Sequence, residues 1–282
     1  MFTILTKELL APLIKRITVF APDIAQRGAP GQFVVLRINE RGERVPLTIA
    51  GQDTAQGTIT LIFQEIGKTT RSLGELNTGD SILDMVGPLG HPTHIEQFGT
   101  VAVVGGGVGV AELLPVARAL KNAGNKVIGI IGARTKELVI LENEVRVACT
   151  ELHVTTDDGS YGRKGFVSNV LQELIDAKTA INLVYAIGPV PMMRVIANLT
   201  KPYGLRTIVS LNPIMIDGTG MCGVCRVTVA GKTQFACVDG PEFNGHEVDW
   251  DQLTARLTLF KNEEKISMEE CTGEGSCRGE RK

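Results

Sequence analysis

Asp217, Cys222, Cys225 and Cys237 fall in the segment D-G-T-G-M-C-G-V-C-R-V-T-V-A-G-K-T-Q-F-A-C, at the spacing D-x4-C-x2-C-x11-C. A C-x4-C-x2-C run with a more distant Cys is the plant-type arrangement for a [2Fe–2S] cluster. Here an Asp occupies the first position. The set reads as a two-iron site with three thiolates and one carboxylate, a centre that carries single electrons. Two alternatives stand beside it. A C-x2-C pair with a third Cys can hold zinc, although no His is suitably placed, His246 being the nearest. Asp217 can cap an Asx turn, and spacing leaves ligand and turn both open. Gly218, Gly220 and Gly223 favour the iron–sulfur reading, because a glycine-rich loop can wrap closely and aim N–H groups at cluster sulfurs.

A second constellation is Gly105-Gly106-Gly107-Val108-Gly109, between an apolar run and a helical stretch. Glycines there let backbone approach a pyrophosphate, and the following helix N-terminus favours negative charge. A glycine turn alone is weak, since tight turns also need glycine, and this one departs from G-x-G-x-x-G at Val110. Two more loops strengthen it: 156–162, containing Asp157, and Gly188-Pro189 with Met192 at the start of the next helix. All three leave carboxyl ends of expected strands and converge on one crevice. Arg134 follows the second strand, where a ribose would be read. It is compatible with a 2′-phosphate but leaves NAD and NADP both open.

The elements that must position these residues follow from periodicity. Strands are expected over 17–20, 32–38, 45–50 and 58–65, separated by turn residues without helices, which suggests a small antiparallel barrel. After Thr100 the pattern changes. Buried strands over 101–104, 127–131, 152–155 and 183–187 alternate with helices over 111–122, 136–149, 165–177 and 191–203, the signature of a doubly wound parallel sheet. The fold class is therefore β-barrel plus α/β with a small cluster module. The domains are 1–97 for the barrel, 98–207 for the α/β unit, 208–250 for the module and 251–282 for a C-terminal extension. A surface helix or extended cover is expected over 247–260, and the polar, Gly-rich tail reads as disordered.

The 282 residues suffice for two domains and a module, and 43% hydrophobic content supports ordinary cores. A net charge of −2 gives no electrostatic case for nucleic acid. No apolar run is long enough to span a membrane. The N-terminus has no basic region followed by an apolar stretch, so a cytoplasmic protein is expected, whose six Cys are metal or redox residues rather than a disulfide framework. Cys149 reads as a buried small hydrophobe, His153 and His246 as structural residues. Cys271 and Cys277 match no common cluster spacing.

Together these residues resemble the ferredoxin–NADP reductase superfamily over nearly the whole chain to Trp250. The order of modules resembles the electron-transfer subunit of type B dihydroorotate dehydrogenase. It resembles still more the small subunits of NADH-dependent reduced ferredoxin:NADP oxidoreductases, through D-G-T-G-M-C-G-x-C and F-A-C-V-D-G-P-E-F-x-G-H-E-V-D. The first of these families uses four Cys; the second carries an Asp where Asp217 stands, which implies that Asp217 is a ligand.

The resemblance further implies FAD, held by a strand matching Val45, Pro46, Leu47 and Thr48 and by a segment of Phe63, Gln64, Glu65, Gly67, Thr69 and Thr70. The superfamily's Arg departs here: Arg44 precedes the motif by one residue. Because strand side chains alternate faces, that shift points Arg44 away from the site unless the strand bulges. Lys68 and Arg71 are either a solvated face or phosphate contacts. A nicotinamide gives hydride, a cluster accepts one electron, and flavin does both, so the implied route runs from NADH through FAD to the cluster. No proton-transfer residue is assigned, and NADP(H) remains an option. A carboxylate is harder than a thiolate, so Asp217 is expected to set the cluster potential. The implied partner is a larger subunit with another FAD and [4Fe–4S] clusters, in a heterodimer that bifurcates electrons from NADPH to NAD and ferredoxin. The competing readings are an electron-transfer subunit of dihydroorotate dehydrogenase or a hydrogenase and, in a different class, a zinc-stabilised nucleotide-binding module.

Overall fold

A computed structural model describes residues 1–273, with side chains to Glu269. The barrel is built from β1 (Phe2–Ala11), β2 (Ile14–Phe20), α1 (Pro22–Arg27), β3 (Phe33–Arg37), β4 (Arg44–Asp53), β5 (Thr58–Gln64), α2 (Lys68–Glu75), β6 (Ser81–Ile82) and β7 (Asp84–Leu89). Its strands run in the order β6-β1-β2-β5-β4-β3-β7, all paired antiparallel. The two ends of that order are joined only by Leu83, which draws the sheet nearly closed. Ile17, Val34, Leu36, Ile59, Leu61 and Leu73 fill the interior. β1 has no counterpart in the sequence reading. Its turn signals are sparse, and long charged side chains interrupt its alternation.

The second unit contains β8 (Thr100–Gly106), α3 (Val110–Asn122), β9 (Lys126–Ala133), α4 (Glu142–Ala148), β10 (Glu151–Thr156), β11 (Arg163–Lys164), α5 (Val167–Asp176), β12 (Leu183–Ile187), α6 (Val190–Thr200) and β13 (Thr207–Ser210). A hairpin of β14 (Arg226–Val229) and β15 (Lys232–Phe235) follows, then β16 (Glu242–Asn244), α7 (Trp250–Arg256) and α8 (Lys261–Gly273). The sheet order is β11-β10-β9-β8-β12-β13-β16. Strands β8 to β13 pair in parallel and β16 closes the edge antiparallel. Val101, Ala102, Val103 and Val104 are fully buried, as a central strand covered on both faces requires. Each such Val contributes about 1.5–3 kcal/mol.

The helix expected over 136–149 is split. A short 3-10 turn at Lys136–Leu138 is followed by Leu141 in a left-handed conformation (φ 57°), and α4 begins only at Glu142. The tail also differs from expectation, because residues 261–273 form α8. Its Lys and Glu are good helix formers, and Lys265 pairs with Glu269 one turn on. Cys271 and Cys277 lie outside the described side chains. Among the described residues no helix is long and apolar enough to cross a membrane.

One core joins all three parts. Phe33 and Val35 of the barrel, Val104, Ala186 and Val209 of the parallel sheet, and Cys225, Val227 and Cys237 of the hairpin module pack together.

Candidate functional site

The cysteine loop between β13 and β16 is shaped by glycine. Gly218, Gly220 and Gly223 all have positive φ (74°, 83° and 66°). A Cβ on Gly218 would meet Leu89 at 2.5 Å and Val35 at 3.1 Å, so the loop lies directly on the barrel. Asp217 Oδ1 accepts the Thr219 N–H at 3.0 Å, and Oδ2 accepts the Cys222 N–H at 2.7 Å. The Thr219 amide first, with the Cys222 amide, holds the carboxyl below the usual range against desolvation. Asp217 is thus a turn-former in this structure. Carboxylate oxygens keep lone pairs beyond those two bonds, so turn and ligand are compatible roles.

Cys225 and Cys237 are buried with their sulfurs 3.2 Å apart, while Cys222 is exposed on the loop. Burial, and then the neighbouring Cys225, pushes the Cys237 thiol up to about 12. Two thiols this close relax if a metal replaces their protons, since a coordinating thiol ionises outright. That donor chemistry fits a thiolate-bound iron–sulfur group. The structure brings the two thiols together, Asp217 acts on Cys237 through its charge, Cys222 is exposed on the loop, and among the described residues no three metal-binding side chains close into a cage. His246 takes no part in the loop. Its Nε2 lies 2.9 Å from the Thr200 hydroxyl, which fastens the module to α6.

Of the segments expected at flavin, Thr48 reaches the second unit through its bond to Glu112. Between Arg44 and Thr48, β4 pairs with β3 residue for residue, without a bulge. Val45 and Leu47 therefore face the barrel interior, where they pack on its core, and Arg44, Pro46 and Thr48 share the opposite face. Arg44 is exposed and lines a cleft of about 410 Å³ with Arg37, Asp84, Asp217 and Thr219. Phe63 is buried, Gln64 half-buried, and Glu65 is paired to Lys15 at 2.6 Å. Gly67 opens α2. Its N–H is bonded to the Thr70 hydroxyl at 3.1 Å, and Thr69 donates to Glu43 at 3.1 Å.

Of the three loops expected to converge, two are brought together, Gly105 to Gly109 and the Gly188-Pro189 turn with Met192. Chain order reverses direction between β8 and β12, the topological switch point of this sheet. A Cβ on Gly106 would lie 2.5 Å from Met192 Sδ and 3.2 Å from Pro189, and one on Gly109 would lie 2.8 Å from the Ile187 carbonyl. A Cβ on Gly188 would lie 3.1 Å from the Gly106 backbone. The two loops touch, which only glycine permits. Gly105 is buried behind them, and Gly107 and Val108 are half-buried at the crest. Arg134 and Asp157 are exposed at the ends of neighbouring strands β9 and β10. Cys149 is buried beside Gly129, its thiol raised to about 11 by burial.

Sequence reasoning missed a polar cluster at the seam between the two units. Glu112, in the first turn of α3, accepts the Thr48 hydroxyl at 3.2 Å and the Ser210 hydroxyl. Glu242 accepts the Tyr185 phenol and the Thr93 hydroxyl. An acid in a helix's first turn usually answers the helix dipole, so Glu112 carried no signal. Tyr185 did, because a phenol in the apolar strand L-V-Y-A-I needs a buried partner.

A family model described as the iron–sulfur cluster binding domain of dihydroorotate dehydrogenase B matches residues 212–249. A Thermotoga maritima protein named as a homolog of the dihydroorotate dehydrogenase B (NAD(+)) electron transfer subunit is 47% identical over 89% of this chain and 88% of its own. The subunit itself from Geobacillus thermodenitrificans is 33% identical, over 87% of this chain and 96% of its own. A solved structure of an NADH-dependent reduced ferredoxin-NADP oxidoreductase, reported for insights into flavin-based electron bifurcation, superposes with a TM-score of 0.91 at 45% identity. The match covers 96% of this chain and 97% of that one.

Proposed function

The chain belongs to the family of dihydroorotate dehydrogenase B electron transfer subunits and their homologs, and from that membership we propose that it passes electrons between NAD(H), FAD and a [2Fe–2S] cluster as the small subunit of a bifurcating ferredoxin:NADP oxidoreductase. The observation that carries this reading is the single core shared by barrel, parallel sheet and cysteine loop, which packs the three units read as cofactor-binding into one body. Flavin accepts electrons as a hydride pair and releases them singly, the exchange required between a nicotinamide and a cluster.

In this reading the Thr48 side chain and the backbone of Val45, Pro46 and Leu47, with the segment Phe63, Gln64 and Glu65, border the flavin, while Gly67, Thr69 and Thr70 offer backbone and hydroxyl groups at the α2 N-terminus to its phosphates. Gly105, Gly106, Gly107, Val108 and Gly109, with Gly188, Pro189 and Met192, form the nicotinamide crevice. Arg134 and Asp157 border its ribose end. Asp217, Cys222, Cys225 and Cys237 are the cluster ligands, with the exposed loop rim as the exit toward a partner. These residues bind, orient and keep water out; rate comes from positioning.

A larger subunit completes the enzyme. We take it to carry a further FAD and [4Fe–4S] clusters in a heterodimer and to deliver electrons to ferredoxin. A cytoplasmic location follows from the same reading, since thiol ligands persist in a reducing compartment. The test is anaerobic purification of the chain with whatever accompanies it. A large flavoprotein with [4Fe–4S] clusters, and NADPH-driven ferredoxin reduction that requires NAD, are the expected results. Co-purification of a dihydroorotate-oxidising subunit would replace the bifurcating assignment.

A further inference from the structure

Helix α7 begins just past the segment that matches the cluster-binding family, which ends at residue 249. It is firmly fastened to the cysteine module. Asp249 caps it by accepting the Gln252 N–H at 2.9 Å, and the Trp250 indole donates to the Gly245 carbonyl at 3.1 Å. Thr228 of β14 bonds Gln252 at 2.7 Å, and Leu253 is buried in the core that holds Cys225 and Cys237. The last residue of this helix is Arg256. A basic residue there ordinarily answers the dipole of its own helix. Arg256 instead reaches into the C-x2-C turn, where its Nη2 donates to the Val224 carbonyl at 2.9 Å. Arg226 donates to the neighbouring Gly223 carbonyl at 3.1 Å, so both carbonyls between Cys222 and Cys225 are held by guanidinium groups. Arg226 is exposed and Arg256 half-buried. Burial lowers Arg256 from its ordinary value, the charge of Arg226 adds to this, and Cys225 opposes it. No carboxylate among the described residues acts on it.

We propose that Arg256 is a positioning residue for the cluster site, fixing the C-x2-C turn through Val224 while its charge raises the reduction potential of the centre bound there. The proposal rests on the reading of Cys222, Cys225 and Cys237 as cluster ligands. Two links carry it. The Val224 carbonyl and the Cys225 N–H belong to one planar peptide, so a bond that fixes the first fixes the second. The Cys225 thiol then leaves a backbone held from outside its own loop. The other link is electrostatic. Uptake of one electron adds one negative charge at the site, and a fixed cation close by favours that product. Arginine stays protonated at any working pH, so the bias is constant. Half-burial shields Arg256 from the screening that water and salt impose on the exposed Arg226. Charge and hydrogen bonding around a cluster set its potential at fixed ligands, and α7 supplies both.

The test compares the holo chain, purified anaerobically, as wild type, Arg256→Gln, Arg256→Lys and Arg226→Gln. Iron and labile sulfide are assayed first. The cluster is then titrated against potential by its visible absorption and by the electron paramagnetic resonance of the reduced form. In Arg256→Gln the ratio of reduced to oxidised cluster at a fixed potential is expected to fall on the order of tenfold, a downward shift of about 59 mV for one electron. Arg256→Lys keeps the charge and should titrate near wild type, and Arg226→Gln should shift less than Arg256→Gln. Both Arg256 variants should release iron to a chelator faster than wild type. An Arg256→Gln variant with wild-type iron and an unchanged potential overturns the proposal. So does an Arg226→Gln shift as large as that of Arg256→Gln, which would make the effect one of general surface charge. Release of iron at the wild-type rate from both Arg256 variants overturns the positioning role. If Arg256→Gln holds no iron, Arg256→Lys decides: a wild-type potential supports the role of charge, and a tenfold fall in the ratio overturns it. A wild-type chain that binds no iron fails differently, by removing the cluster reading beneath the proposal.

Discussion

The molecule buries two pairs of like titratable groups and treats them oppositely. Cys225 and Cys237 touch at 3.2 Å, and apart from each other the main polar group acting on Cys237 is the Gly220 amide. Glu112 and Glu242 are each tied to two hydroxyls. Burial raises Cys237 to about 12 and Glu112 to about 7, and it raises Glu242 as well. The thiols have few protein groups to offset their crowding and are best served by exchanging protons for metal. The carboxyls are already satisfied and can hold a proton instead. What a buried pair is for therefore depends on its hydrogen-bond partners more than on its burial.

The sharpest way to break this comparison is to remove one thiol. Cys225→Ser and Cys237→Ser should each lose essentially all bound iron and the visible absorption of the cluster while keeping flavin, because the flavin segments are on the barrel. Iron and flavin are assayed on the same anaerobic sample. Retention of iron near the wild-type level in either variant would show that the thiol pair is a packing feature like Cys149.

Asp217 tests the loop rim. Asp217→Ala removes both amide caps and the carboxylate, and iron content should fall severalfold. Asp217→Asn keeps a capping oxygen, whereas Asp217→Cys cannot cap in the same way but supplies a thiolate. Iron restored by Cys and not by Asn identifies a ligand; the opposite pattern identifies a turn.

How far these features could be read from sequence follows from chain distance. The thiols sit within one loop at a spacing that points to their chemistry, and the glycine turn proposed for the nicotinamide is visible as Gly105 to Gly109 after an apolar strand. The four strands expected in the barrel and the alternation beyond Thr100 were legible for the same reason, local periodicity. Glu112 and Glu242 are distant in sequence and meet only because β13 and β16 pair and α3 packs on β4. Neither has a local pattern. The face of Arg44 was likewise undecidable until the register of β4 against β3 was known, since one residue of slip would reverse it.

The carboxyl pair can be challenged through stability. The folded state raises Glu112 from the ordinary 4.5 to about 7. The native form thus binds more protons than the unfolded chain across that window, so the group's contribution is present below about 4.5 and is lost as pH rises through about 7. The loss is at most roughly 3–4 kcal/mol for a shift of this size. Glu112→Gln should flatten that decline, with denaturant midpoints of wild type and variant diverging from pH 5 to pH 8. Parallel curves would mean that Glu112 is ionised throughout, as an ordinary carboxylate is.

The smallest expected effect separates the two acids from each other. Tyr185→Phe keeps the buried ring and removes one donor to Glu242, at a cost of about 1–2 kcal/mol. The phenol and the Thr93 hydroxyl favour the ionised form of Glu242, while burial favours the neutral one. Losing the phenol must therefore raise Glu242 further, and the destabilisation should be larger at pH 8 than at pH 5. It should also lower the proton affinity of Glu112, because a more neutral Glu242 repels a second negative charge less. An infrared titration of the Glu112 band in Tyr185→Phe should thus move to lower pH by a fraction of a unit. A band that stays in place would mean that the acids respond to their own hydroxyls alone, and the seam would then contain two separate carboxyls rather than one coupled pair.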